Sequence, residues 1–142
     1  PPLDHALVLR MKHRFPELVI SINGGITTLA QAKTLLDQGL DGVMIGRAAY
    51  HDPASVLIGA DTLWGDPFAP DPLQVVDAMR PYIAEHLAAG GRLHQITRHM
   101  LGLFTGKPGA RHWRRVLSEG ASRNGAGLSV LDRALEEVRV GA

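Results

Sequence analysis

Ser21-Ile-Asn-Gly-Gly-Ile26, followed one helix later by Val43-Met-Ile-Gly-Arg47, closes two brief apolar runs with glycine. A parallel strand ending in glycine lets backbone N–H groups come close to an anion, because no Cβ stands in the way. The helix that follows turns its positive end toward the same place. Two such strand ends in succession read as a phosphate cradle, with Asn23, Gly24, Gly25, Gly46 and Arg47 as its candidate residues. In (β/α)8 barrels a phosphate is often held by the loops after strands seven and eight, and the strand–helix–strand spacing fits that arrangement. Asn23-Gly24 alone is also a turn dipeptide, and Arg47 alone could cap a helix or form a surface ion pair; the second motif tips the reading toward a phosphate.

Working outward, a helix is expected from about Asp4 to Arg14, with Asp4 as N-cap, Leu7, Val8 and Met11 on one face and Pro16 forbidding continuation. Leu18 to Ile22 reads as a strand. Thr28-x-x-Gln31 resembles a capping box, Leu29, Ala32, Leu35 and Leu36 make an apolar stripe, and Gly39 stands where a C-terminal cap belongs. Gly42 to Ile45 reads as the next strand. Both strands are apolar without alternation, the pattern of a parallel sheet covered on both faces.

A short helix is expected within Ala48 to Ile58, and three prolines in the six residues 67–72 mark a linker over 61–72. Helical periodicity then takes over, with Leu73, Val76, Met79, Ile83 and Leu87 in one helix and Leu93, Ile96, Met100 and Leu103 in a second. Trp113, Val116 and Leu117 belong to a third, and Leu131, Ala134, Leu135 and Val138 to a fourth. Pro81 should kink or interrupt the first. Trp113 reads as a core anchor rather than a platform for stacking bases. The expected fold class is α/β: C-terminal β/α units of a TIM barrel over residues 1–60, the linker 61–72, and a small all-α helical bundle over 73–142.

With 142 residues, the chain falls well short of the ~250 of a complete barrel, so further barrel is expected before Pro1. It opens without Met or a charged-then-apolar leader and has no apolar run of the ~20 residues that cross a bilayer. A soluble, cytoplasmic monomer is the expectation. With no Cys in the sequence, disulfide and thiolate chemistry within this chain are excluded. His51, His86, His94, His99 and His112 show no repeated ligand spacing, so no metal is assigned.

Charge is unevenly spread. Six Lys and Arg against ten Asp and Glu give −4 over residues 1–91, seven against one give +6 over 92–123, and two against three give −1 over 124–142. A compact basic segment suits a polyanion, although a solvated helical face is the plainer reading. Arg111, Arg114 and Arg115 lie at i, i+3 and i+4, on one helical face opposite Trp113 and Leu117. Lys107 and Arg98 rank second.

Pro1-Pro-Leu-Asp4, Phe15-Pro-Glu-Leu18, Ile22-Asn-Gly-Gly-Ile26 and Asp41-Gly-Val-Met-Ile-Gly-Arg-Ala-Ala-Tyr50 carry a specific resemblance, together with Ile96-Thr-Arg-His-Met-Leu-Gly-Leu-Phe104 and Gly109-Ala-Arg-His-Trp-Arg114. They resemble the C-terminal part of a tRNA-dihydrouridine synthase of the A subfamily, over nearly the whole chain. The resemblance implies an enzyme that uses NADPH to reduce FMN, which delivers hydride to D-loop uridines of the 20/20a type in tRNA. Asn23, Gly24 and Gly25 would then hold the FMN phosphate from one side, and Gly46 and Arg47 from the other. Arg111, Arg114 and Arg115, with Lys107 and Arg98, would dock the tRNA. The family's catalytic cysteine and its contacts to the flavin ring have no counterpart here, so the segment alone is expected to be inactive and to bind flavin weakly or not at all. Two rivals stay open on the residues alone: a phosphate-binding barrel enzyme of small-molecule metabolism, against which the basic helical tail argues, and a non-catalytic RNA-binding remnant.

Overall fold

The computed structural model describes residues 2–139; Pro1 and residues 140–142, which fall in the first and last expected segments, lie outside the described residues. The chain is a mostly helical α/β structure with one small sheet. It begins with α1 (His5–Arg14), started by Asp4, whose carboxylate accepts from Leu7 N–H at 2.8 Å. There follow β1 (Ser21–Asn23), α2 (Leu29–Asp37) and β2 (Gly42–Met44). The two strands pair in parallel, Ser21 opposite Gly42, Ile22 opposite Val43 and Asn23 opposite Met44.

Local chemistry explains the crossover. Thr28 and Gln31 form a reciprocal capping box, Gln31 N–H donating to Thr28 Oγ1 at 3.2 Å and Thr28 N–H to Gln31 Oε1 at 3.3 Å. At the other end Gly39 takes φ +96°. Gly39 N–H then reaches Leu36 O at 2.9 Å and Leu40 N–H reaches Leu35 O at 3.4 Å, a Schellman closure that sends the chain into β2.

Three expectations for this half need correction. The strands are three residues each, shorter than Leu18–Ile22 and Gly42–Ile45, because the ladder extends only where the two chains face one another. Leu18 and Val19 are exposed before β1 begins, and β1 alternates exposed, buried, exposed, so only one sheet face is covered. On α1 it is Val8 and Leu9 that pack on the small core of Ile22, Ile26, Leu35 and Leu40, while Leu7 and Met11 face outward.

The short α3 (Arg47–His51) and α4 (Pro53–Val56) follow β2, then a 3-10 turn over Ala60–Trp64. The proline-rich stretch is therefore not all linker: it opens in this turn and closes in α5 (Pro72–Ala88). Asp71 caps α5, accepting from Leu73 N–H at 2.7 Å and Gln74 N–H at 3.0 Å, with Pro72 in the first turn where its missing N–H costs nothing. Pro81 lies inside α5 without ending it. The carbonyl it leaves without an amide partner belongs to Asp77, which is exposed to solvent.

After α5 come α6 (Leu93–Thr97), α7 (Ala110–Gly120) and α8 (Leu128–Leu135). The expected second helix through Leu103 stops at Thr97. From there the chain advances in tight turns, Met100 N–H to Thr97 O, Leu103 N–H to Met100 O and Thr105 N–H to Gly102 O. Within these turns Gly102 packs so closely that a Cβ there would collide with the His51 carbonyl, which also accepts from Thr105 Oγ1 at 3.1 Å. The turns thus dock onto the end of α3 and tie the helical part to the strand part.

Trp113 and Phe104 are fully buried at the centre of the larger core, ring centroids 4.9 Å apart and nearly perpendicular. Trp113 Nε1–H donates to Met100 O at 3.0 Å, so the indole is satisfied in the core and confirmed as an anchor. Truncating a buried Trp typically costs about 3–5 kcal/mol. Arg80 Nη1 reaches Asp132 at 2.8 Å and Nε reaches Asp77 at 3.0 Å, linking α5 to α8; the two carboxylates raise the guanidinium above its usual range.

Candidate functional site

The carboxyl ends of β1 and β2 open on one cavity of about 530 Å3. Asn23, Gly24, Gly25, Ile26 and Thr27 line it from the first loop, and Met44, Gly46, Arg47, Ala48 and His51 from the second. The five residues named from the glycine motifs therefore share one concavity. Gly24 and Gly25 take φ +123° and +66°, conformations that side chains strain. A Cβ on Gly24 would also stand 2.6 Å from Leu3 Cδ2, and one on Gly25 2.9 Å from Leu3 Cδ1. Leu3 packs behind the loop, and His5 Nε2 holds the Gly24 carbonyl at 2.7 Å.

The amides of the loop fall into two sets. Thr27 and Thr28 donate to Gln31 Oε1 at 2.9 and 3.3 Å. Beyond the strand ladder, the N–H groups of Gly25 and Ile26 donate to no protein group among the described residues. Arg47 is exposed at the start of α3 and pairs with no carboxylate among the described residues. Unpartnered backbone donors, glycines that admit close approach and one free guanidinium form a donor set that matches phosphate oxygens. A Cβ on Gly46 would meet only Met44 Sδ, at 3.7 Å, so that edge of the cradle is open space.

At the opposite ends of the same strands Lys12, Asp41 and Ile20 satisfy one another. Lys12 Nζ donates to Pro16 O at 3.0 Å and Leu18 O at 2.7 Å and meets Asp41 Oδ2 at 2.8 Å. Asp41 also accepts from Ile20 N–H at 2.7 Å while its own N–H reaches Ile20 O at 3.1 Å. The Ile20 amide first, and the Lys12 ammonium second, hold the Asp41 carboxyl below the usual carboxylate range.

Arg111, Arg114 and Arg115 are all exposed on α7, opposite the buried Ala110, Trp113, Leu117 and Gly120. Helical geometry puts the three within about 100° of arc. Lys107 is exposed in the turn leading into α7. Arg98 stands apart from this face, at the end of α6, where its Nε donates to His99 Nε2 at 3.0 Å.

Comparison with known proteins adds to this geometry. The family model described as Dihydrouridine synthase (Dus) matches residues 1–139. The chain belongs to the dihydrouridine synthase family. It is 53% identical over 140 residues to the tRNA-dihydrouridine(20/20a) synthase of Shewanella oneidensis, covering 98% of this chain and 42% of that protein. It is 51% identical over 137 residues to the Yersinia pestis protein of the same name, covering 95% and 39%, and 50% identical over 139 residues to that of Escherichia coli, covering 97% and 40%. The chain thus spans about two fifths of the length of these relatives.

Within this dihydrouridine synthase segment, several residues at the cavity escaped the glycine motifs. Leu3 and His5 shape the first loop from 19 to 21 residues upstream, and only the fold brings them there. His51 lines the cavity from the last position of α3. Tyr50 beside it bonds His99 Nδ1 through its hydroxyl at 3.3 Å. The nearest sequence signal for His51 and Tyr50 is their place in the turns directly after Gly46-Arg47. Among the described residues no helix is long and apolar enough to cross a membrane, and no group of three or more His, Asp or Glu side chains clusters to hold a metal.

Proposed function

We propose that this chain is the C-terminal part of a cytoplasmic, monomeric tRNA-dihydrouridine synthase that uses FMN and NADPH to reduce D-loop uridines, at the positions 20 and 20a given in its relatives' names. The convergence of Asn23, Gly24, Gly25, Gly46 and Arg47 on one cavity with unpartnered amides supports this reading. The arrangement fits C-terminal units of a TIM barrel over residues 1–60, joined through 61–72 to a helical tRNA-binding domain over 73–142. In this reading the Gly25 and Ile26 amides and the Arg47 guanidinium hold the cofactor's phosphate. FMN, when bound, supplies the hydride chemistry that saturates the uracil C5=C6 bond.

The residues of this chain bind and orient. Leu3 and His5 keep the first loop in its left-handed course, so the amides are aimed before the phosphate arrives. Arg111, Arg114 and Arg115 meet tRNA phosphates, with Lys107 in the turn before them and Arg98 on a separate face at the end of α6. Such contacts position the nucleic acid without reading its sequence. The chain contains no cysteine, so the general acid that protonates the base belongs to the rest of the protein.

The test is expression of the full-length protein carrying this chain, followed by release of bound flavin and assay of dihydrouridine in unmodified tRNA transcript with NADPH. Released FMN and dihydrouridine at position 20 or 20a are the expected results. A full-length product without flavin that leaves the transcript unchanged overturns the proposal.

A further inference from the structure

A second cavity, of about 500 Å3, lies between α5, α6 and the start of α4, with Met79, Tyr82, Gln95, Ile96, His99 and Met100 among its walls. We propose that it is a nucleobase pocket, receiving one unstacked base of the bound tRNA while the adjoining phosphate rests on Arg98. The inference builds on the tRNA-binding reading above and assigns that reading a site outside both the phosphate cradle and the arginine face of α7.

Three features select a nucleotide over an apolar peptide side chain. Tyr82 is 58% exposed at the wall, leaving an aromatic ring free to stack on a base, and Met79, Ile96 and Met100 supply apolar surface beneath it. Gln95 is oriented: its Oε1 accepts from Arg92 N–H at 2.8 Å and lies 2.9 Å from His86 Nε2. Because a backbone N–H can only donate, the oxygen must face Arg92. The two amide N–H donors of Gln95 have no partner among the described residues, and carbonyl oxygens or ring nitrogens on a base edge are the acceptors that match them.

The rim supplies the charge. Arg98 can only donate, so His99 Nε2 accepts from it, and the ring proton sits on Nδ1, directed to Tyr50 Oη at 3.3 Å. This pairing holds the guanidinium through Nε against His99, which lines the cleft, and leaves its terminal nitrogens for a phosphate. The surrounding segment 92–123 has a net charge of +6, the complement of an RNA backbone. An apolar cleft with one oriented amide and a cationic rim has the parts of a stacking site on single-stranded RNA.

The experiment measures binding of unmodified tRNA transcript to the full-length protein by filter retention across a salt series, with ultraviolet crosslinking and peptide mass spectrometry alongside. Tyr82→Ala is tolerable because the side chain is largely exposed, and Met79→Trp fills the cleft by the opposite change. Each is expected to weaken binding about tenfold with the salt slope unchanged. The crosslinked peptide is expected within α5 or α6. Tight binding by the parent protein, unaltered in both variants and with crosslinks elsewhere, overturns the pocket and leaves the proposed function standing. Failure of the parent protein to bind tRNA overturns both.

Discussion

The two strands of this chain end differently. At their amino ends the Lys12 ammonium spends its donors on two carbonyls and the Asp41 carboxylate, and Asp41 in turn takes the Ile20 amide. At their carboxyl ends Gly25 and Ile26 offer amides that no described protein group accepts, and Arg47 stands without a carboxylate among the described residues. A buried or half-buried polar group normally finds a partner. The buried Ile26 amide without a partner, beside the exposed Gly25 amide and Arg47, is what the proposed phosphate site would use. Under the proposed function the satisfied end supplies stability and the other end binding, the division expected between the two faces of a barrel.

Substitution at the cradle gives the sharpest break of that comparison. Gly24→Val places a β-branched side chain at φ +123° against Leu3, so the loop must shift and take its amides with it. Losing two phosphate bonds at about 1.5 kcal/mol each amounts to a roughly 100-fold loss of FMN affinity. Flavin retained by the purified full-length protein and a fluorescence titration with FMN read that change directly. Retention equal to the parent's would mean these amides face no phosphate. Arg47→Ala removes one charge-assisted contact and leaves the loop intact, so its expected effect is smaller, about tenfold in FMN Kd with an unchanged melting temperature.

Much of this asymmetry was legible in the chain itself. Thr28 and Gln31 announce their capping box three residues apart, Gly39 announces its Schellman turn, and Trp113 announces the core by lying opposite three arginines. These are local signals, complete within one or two helical turns. Asp71 and Gln74 carry the same capping pattern, yet the prolines around them read as linker. The end of α6 at Thr97 was illegible for a different reason. The turns that follow it pack Gly102 against the His51 carbonyl, a contact across more than 50 residues that no periodicity encodes. Leu7, Met11 and Val19 are apolar and exposed, because the pattern of apolar residues records what a face can bury and not what lies against it in these 142 residues. At the candidate site, glycine and spacing pointed to the five residues that line one cavity, whereas Leu3 and His5 had to be delivered by the fold.

The satisfied end gives the smaller, complementary effects. Lys12→Ala leaves two carbonyls and a carboxylate to water at a partly exposed site. It is expected to cost about 1 kcal/mol after solvent screening, seen as a lower denaturant midpoint, with the FMN Kd of the full-length protein unchanged. A matching loss of FMN affinity would mean that the two ends are coupled and the division is wrong.

Asp41→Asn is the mildest test and carries a pH signature. The folded-state carboxyl titrates below its ordinary value of 3.8 because the Ile20 amide and Lys12 favour the charged form. The folded state therefore binds fewer protons than the unfolded state in that range, and the contribution of Asp41 is complete at neutral pH. It declines as pH falls from about that value through the lowered folded-state one. The parent protein should be more stable than Asp41→Asn at pH 7, and the gap should close on acidification through this window. A gap that stays constant down to pH 2 would show that Asp41 acts through its shape rather than its charge, and would move the electrostatic anchor of the strand ends elsewhere.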